Sequence, residues 1–174
     1  NGNYNTHNYG GGGKKSVEEM WDEMLSKKIK IWGVAVDDSH HFKEEFAPHR
    51  HNPGRGWVEV FAKNLSEKNI LKSMRNGNFY FSTGVKFKKI IFNEEKIEIS
   101  ISGDYFNKGL SNSLITDSKY TTQLISNDGE IIEELHGKSV KFNLIKDSNK
   151  YAYFRTKTIS STGSTGWTQP IFFN

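Results

Sequence analysis

Apolar residues along this chain repeat with two different periods, and the change falls near residue 84. Val17, Met20, Trp21, Met24 and Leu25 recur at helical spacing, and Ser16 followed three residues later by Glu19 has the form of a capping box, so a helix is predicted over about 16–27. Residues 29–36, IKIWGVAV, make a nearly continuous apolar run rich in β-branched side chains. That is the pattern of a strand buried on both faces of a parallel sheet, and it ends directly in Asp37-Asp38-Ser39-His40. A second strand is expected at 57–62, WVEVFA. A helix from Ser66 to Asn76 follows, with Ser66 as its N-cap, Ile70, Leu71 and Met74 facing inward, and Gly77 as its stop. A short strand, NFYFS, closes this part near Ser82.

From Val85 onward the period is two. The segments VKFKKIIF, KIEISIS, KYTTQLIS, EIIEELH, VKFNLI, YAYFRTKTIS and WTQPIFF follow one another about every ten residues, with turn signals such as Asn127-Asp128-Gly129 between them. Strands in that number without a helix predict a compact antiparallel β-sandwich. The expected organisation is therefore a flexible linker over 1–15, an α/β part over 16–84 that is an incomplete piece of a β/α barrel, and an all-β antiparallel sandwich over 85–174. The first segment, NGNYNTHNYGGGG, lacks apolar periodicity and reads as a loop. Its glycines are followed by Lys14-Lys15 but lack the preceding strand that a phosphate-binding loop requires.

Composition narrows the function classes. No apolar run approaches the length of a membrane span. The net charge of +4 arises from dispersed lysines without interleaved aromatics, which argues against a nucleic-acid platform. The absence of cysteine excludes disulfides, thiolate metal sites and cysteine nucleophiles, and leaves the compartment open.

The candidate chemistry lies between residues 37 and 55. Four of the six histidines, His40, His41, His49 and His51, fall within this stretch beside Asp37, Asp38, Glu44 and Glu45. Imidazole and carboxylate together are the donor set of zinc, manganese and iron sites. Asp38 and His40, two apart at a predicted strand end, are expected to project toward one pocket, and functional groups of parallel α/β folds gather beyond such ends. The bland alternative is a capping aspartate beside an ordinary loop histidine. His41, His49 and His51 are further candidate ligands or substrate contacts. Arg55, flanked by Gly54 and Gly56, is a candidate for holding an anionic group or for a structural salt bridge.

In order along the chain, the helix with Trp21-Asp22, then IWGVAVDDSHHF, then NPGRGWVEVFAKNLSEKNILKSMRNGNFYFSTG, resemble the closing part of a PHP (polymerase and histidinol phosphatase) domain. YAYFRTKTIS and GWTQPIFF resemble the β-domain that follows it in many members. The resemblance covers about residue 16 to the end. It implies a distorted β/α barrel with two or three divalent metal ions at the strand ends, hydrolysing a phosphorylated small molecule or a phosphodiester, with Asp38 and His40 as metal ligands. The family's opening His-x-His, central glutamate and middle histidines have no counterpart here. The chain is accordingly expected to be part of a larger hydrolase, inactive or nearly so alone, holding metal weakly or not at all, with its exposed strand edges covered by the earlier barrel segment or by another chain. The competing expectation is a β-sandwich binding module in which the histidine loop is incidental.

Overall fold

The structure is a computed structural model and describes residues 1–2, 9–43, 50–93, 95–105, 114–144 and 150–172. Thirteen elements follow in chain order: α1 (Val17–Ser26), β1 (Trp57–Val60), α2 (Glu67–Arg75), β2 (Phe79–Ser82), β3 (Val85–Phe92), β4 (Lys96–Tyr105), β5 (Leu114–Ile115), β6 (Tyr120–Ser126), β7 (Glu130–His136), β8 (Ser139–Asn143), β9 (Tyr153–Ser160), β10 (Thr165–Thr168) and β11 (Ile171–Phe172). The strands form two antiparallel sheets. One has seven strands in the order β1-β2-β10-β9-β6-β7, with β11 also paired to β9; the other has four, β3-β4-β5 with β8 on β4.

The sheets face each other over a core that alternation builds. Ile97, Ile99 and Ile101 of β4 all point inward, and Phe142 and Val140 of β8 stand directly opposite Ile97 and Ile99. Phe154, Leu124 and Tyr120 meet them from the other sheet. The β6–β7 hairpin turns at Asn127-Asp128-Gly129, where Asp128 (φ 54°) and Gly129 (φ 83°) supply the left-handed conformations that a tight hairpin needs. The sandwich expected past residue 84 is present. The final predicted segment is two strands, β10 and β11, separated by Gln169-Pro170, because proline has no N–H to continue a ladder.

A third layer explains why β9 is buried on both sides. Its Phe154 and Thr156 face the opposite sheet, whereas Tyr153 and Arg155 face α1. Trp21 and Leu25 of α1 form a second apolar cluster with Phe81 and Tyr153. The helix begins as its sequence predicts: Ser16 Oγ accepts from the Glu19 N–H (3.1 Å) while Glu19 accepts from the Ser16 N–H (2.6 Å).

The part before residue 84 departs from its expected form. Residues 29–36 form no helix or strand and join no sheet, with Val34 54 % and Val36 51 % exposed, because no strand among the described residues lies beside them. β1 and β2 pair antiparallel, so the strand–helix–strand unit is not a parallel crossover, and no barrel is formed among the described residues. β2 also pairs with β10, so one sheet runs through both parts of the sequence. On α2 the buried residue is Ser73, whose hydroxyl donates to the Phe61 carbonyl (2.8 Å). Leu71 stays exposed because the small serine is the contact that seats the helix.

Candidate functional site

The 29–36 segment is held against α1 and the end of the larger sheet by one backbone bond and by side chains rather than by a ladder. The Ile29 N–H donates to the Met24 carbonyl (3.0 Å), and Trp21 Nε1 donates to the Ile31 carbonyl (3.1 Å). The buried Gln169 carboxamide accepts from the Gly33 N–H (3.0 Å) and donates to the Gly33 carbonyl (2.8 Å), the pair of bonds that a neighbouring strand would make. Gly33 is required here, since a Cβ would lie 2.6 Å from the Phe81 ring.

Asp37 ends this segment and organises the loop across from it. One carboxylate oxygen accepts from the Gly54 N–H (2.8 Å), and the other accepts from the N–H groups of Arg55 (2.6 Å) and Gly56 (2.5 Å). Three successive amides thus wrap one carboxylate, the concave arrangement by which backbone holds an anion. Arg55 enters this site through its backbone, a role its charge does not advertise.

Asp38 then adopts φ 54°, a left-handed conformation that Asp tolerates better than most residues. This ends the extended run, so strand alternation is not what brings Asp38 and His40 together. They meet across the turn, with His40 Nε2 3.9 Å from Asp38 Oδ1, both side chains more than half exposed. The Asn1 amide donates to the other Asp38 oxygen (3.3 Å). Backbone bonds hold the turn against residues 50–52. The N–H groups of His40 and His41 both donate to the His51 carbonyl (2.9 and 3.1 Å), the His51 N–H donates to His41 Nδ1 (3.0 Å), and the Asn52 side chain donates to the His41 carbonyl (2.9 Å). The His51 ring stands edge-on to both His40 (5.8 Å) and His41 (5.7 Å). Asp38, His40, His41 and His51 are therefore gathered, whereas His49 lies outside the described residues.

Donor chemistry and spacing can be tested against a divalent ion. Two ligand atoms each about 2.1 Å from one ion lie about 3.4 Å apart at a tetrahedral angle and at most about 4.2 Å apart. The Asp38–His40 separation of 3.9 Å is wider than the tetrahedral spacing, so the two side chains would have to move closer to share one ion. Among the described residues, no group of three or more histidine, aspartate or glutamate side chains is assembled to hold a metal.

Two polar clusters escaped the sequence reading. In the first, Arg155 is 1 % exposed and donates from Nε and Nη2 to the two oxygens of Asp22 (2.7 and 2.6 Å) and from Nη2 to Glu18 (3.0 Å). Lys157 and Trp167 also donate to Glu18, at 2.6 and 3.2 Å. Burial pushes the Glu18 carboxyl up, but Arg155 and Lys157 outweigh it and hold the group below the usual range. The signal was present as carboxylates four apart on α1 and cations two apart on β9, which only the tertiary fold brings face to face. In the second, the buried Asp104 carboxylate accepts from Tyr120 (2.9 Å), Ser160 (2.9 Å) and Thr162. Burial works against its ionisation, yet these hydroxyls hold it low. Both clusters join parts of the chain that are far apart in sequence. A groove of about 390 Å³ lies between Ser118–Thr121 and His136–Lys138, lined in part by the same Tyr120 that donates to Asp104.

No family model, no curated protein and no solved structure matches this chain.

Proposed function

We propose that the chain is the C-terminal part of a metal-dependent phosphoesterase of PHP type, and that Asp38 and His40 contribute two ligands to its divalent-metal centre. The observation that carries this reading is their convergence: a carboxylate and an imidazole brought within 3.9 Å at the end of an extended segment, on a turn clamped by His51 and by the Asp37-bound loop. A metal bound there would act as a Lewis acid on a phosphoryl oxygen. The residues of this chain hold and orient: Asp37 fixes the Gly54–Gly56 loop, and His51 sets the backbone of His40 and His41. The remaining ligands would come from the earlier barrel segment, which is why the chain alone is proposed to be inactive or nearly so. The substrate class is a phosphorylated small molecule or a phosphodiester.

Zinc competition against a chromophoric chelator tests this. Wild-type chain is expected to bind zinc more tightly than both Asp38→Ala and His40→Ala; equal affinity in all three would refute the ligand assignment.

The second reading is a binding module that works through the sandwich, favoured by the groove between Ser118–Thr121 and His136–Lys138. It predicts a ligand whose binding is lost on filling the groove with Thr121→Trp and is indifferent to Asp38→Ala.

A further inference from the structure

The two edges of residues 29–36 are unlike. Ile29, Ile31 and Gly33 turn their backbone polar groups toward the protein and find Met24, Trp21 and Gln169. Lys30, Trp32 and Val34 alternate with these along the run and have no backbone–backbone partner among the described residues, while the Trp32 indole donates to the Arg75 carbonyl (3.1 Å). On that edge only Val36 is engaged, its carbonyl accepting from the Gly2 N–H (2.7 Å). Apolar side chains accompany the open edge: Ile29, Ile31, Val34 and Val36 are 40–54 % exposed. An open, β-branched, apolar edge is a template for another strand.

The charges at its two ends select the occupant. Lys28 and Lys30 stand at the beginning of the run, and Asp37 and Asp38 at its end, with positive φ at Lys28 and Asp38 marking the limits of the extended chain. An antiparallel copy of the same segment, with Gly33 opposite Gly33, brings Lys28 of each chain to Asp38 of the other. A parallel strand of the same sequence would set like charges together. The same register suits the backbone as well: Lys30 faces Val36 and Trp32 faces Val34, and of these four only the Val36 carbonyl already has a backbone partner, the Gly2 N–H. The Gly2 N–H gives up the Val36 carbonyl to Lys30 of the second copy.

We infer that residues 29–37 form a self-complementary edge through which two copies of this chain pair antiparallel about Gly33. This does not depend on the metal reading. The contact is one strand pair, small beside standard interfaces of roughly 1,200–2,000 Å², so the dimer is concentration-dependent and weakened by salt.

Sedimentation velocity of the full chain over a range of concentration and ionic strength tests it. The expected result is a monomer–dimer equilibrium shifted to monomer by salt and abolished by Val34→Pro, which removes an open-edge N–H. A second set guards against misfolding of that variant. Lys28→Glu/Lys30→Glu and Asp38→Lys are each expected to be monomeric alone and to form a dimer when mixed. A chain that stays monomeric at high concentration overturns the inference, as does a dimer indifferent to all these substitutions or an open-ended assembly. A monomer whose Val34 amide exchanges slowly also overturns it, because another segment of the same chain then covers the edge.

Discussion

Arg155 and Asp22, 133 residues apart, meet in a two-pronged ion pair in which guanidinium Nε and Nη2 reach the two carboxylate oxygens at 2.7 and 2.6 Å. The guanidinium also lies over the Trp21 ring, 4.9 Å from its centroid, and Tyr153 donates its hydroxyl to the same carboxylate (2.7 Å). Through this contact α1 is fastened to the outer face of the larger sheet, and through Trp21 to the segment that leads to Asp38.

Arg155→Met leaves Asp22 as a buried carboxylate stripped of its counter-ion. The expected loss is about 3–5 kcal/mol of folding stability, the usual cost of removing one partner from a buried pair. Urea unfolding checks it; a loss under about 1 kcal/mol would mean that solvent reaches the pair.

Acid weakens the fold. Glu18 and Asp104 are both held below the usual carboxylate range in the folded chain, so their stabilisation is complete above the unfolded value of about 4 and is lost as pH falls toward the folded values. Urea midpoints are expected to drop between about pH 6 and about pH 3. In Ser160→Ala, which deprives Asp104 of one hydroxyl donor, that drop should be shallower. Stability that rises on acidification contradicts this account.

Asp37→Ala frees three backbone amides at once. Amide exchange at Gly54, Arg55 and Gly56 should accelerate together, with a stability loss of about 1–3 kcal/mol for the unmatched donors. Unchanged protection at all three would remove Asp37 from its organising role.

Much of the fold was legible because local rules and tertiary packing agree. The Ser16 and Ser66 caps, the Asn127-Asp128-Gly129 turn, and the alternation in β4 and β8 are short-range signals, and each is found where the sequence places it, whereas β3 is interrupted by a bulge and β7 shows no alternation. The 29–36 run misled because periodicity states that a segment is apolar and extended but not what lies beside it. Here its one satisfied edge is met by Trp21 and Gln169, contacts that no pattern encodes. At the site, spacing predicts that Asp38 and His40 project together from a strand end, whereas they lie 3.9 Å apart across a left-handed turn at Asp38 held by His51. The anchoring of the loop by Asp37 went unseen because a carboxylate that serves backbone amides looks, in sequence, like any other acidic loop residue.

The central claim, that Asp38 and His40 form a metal-ligand pair, can be tested against a matched control in the same molecule. On β7, His136 Nε2 lies 4.0 Å from Glu134 Oε1, an exposed imidazole and carboxylate at nearly the same separation but set on a sheet strand, where Thr121 and Gln123 hydrogen-bond them, rather than on a turn. Histidine ring signals should be followed by NMR during titration with paramagnetic Mn²⁺. The account predicts that the His40 signals broaden first, well before those of His136, and that Asp38→Ala abolishes the difference. Equal broadening of His40 and His136, or broadening of His40 that survives Asp38→Ala, would contradict it.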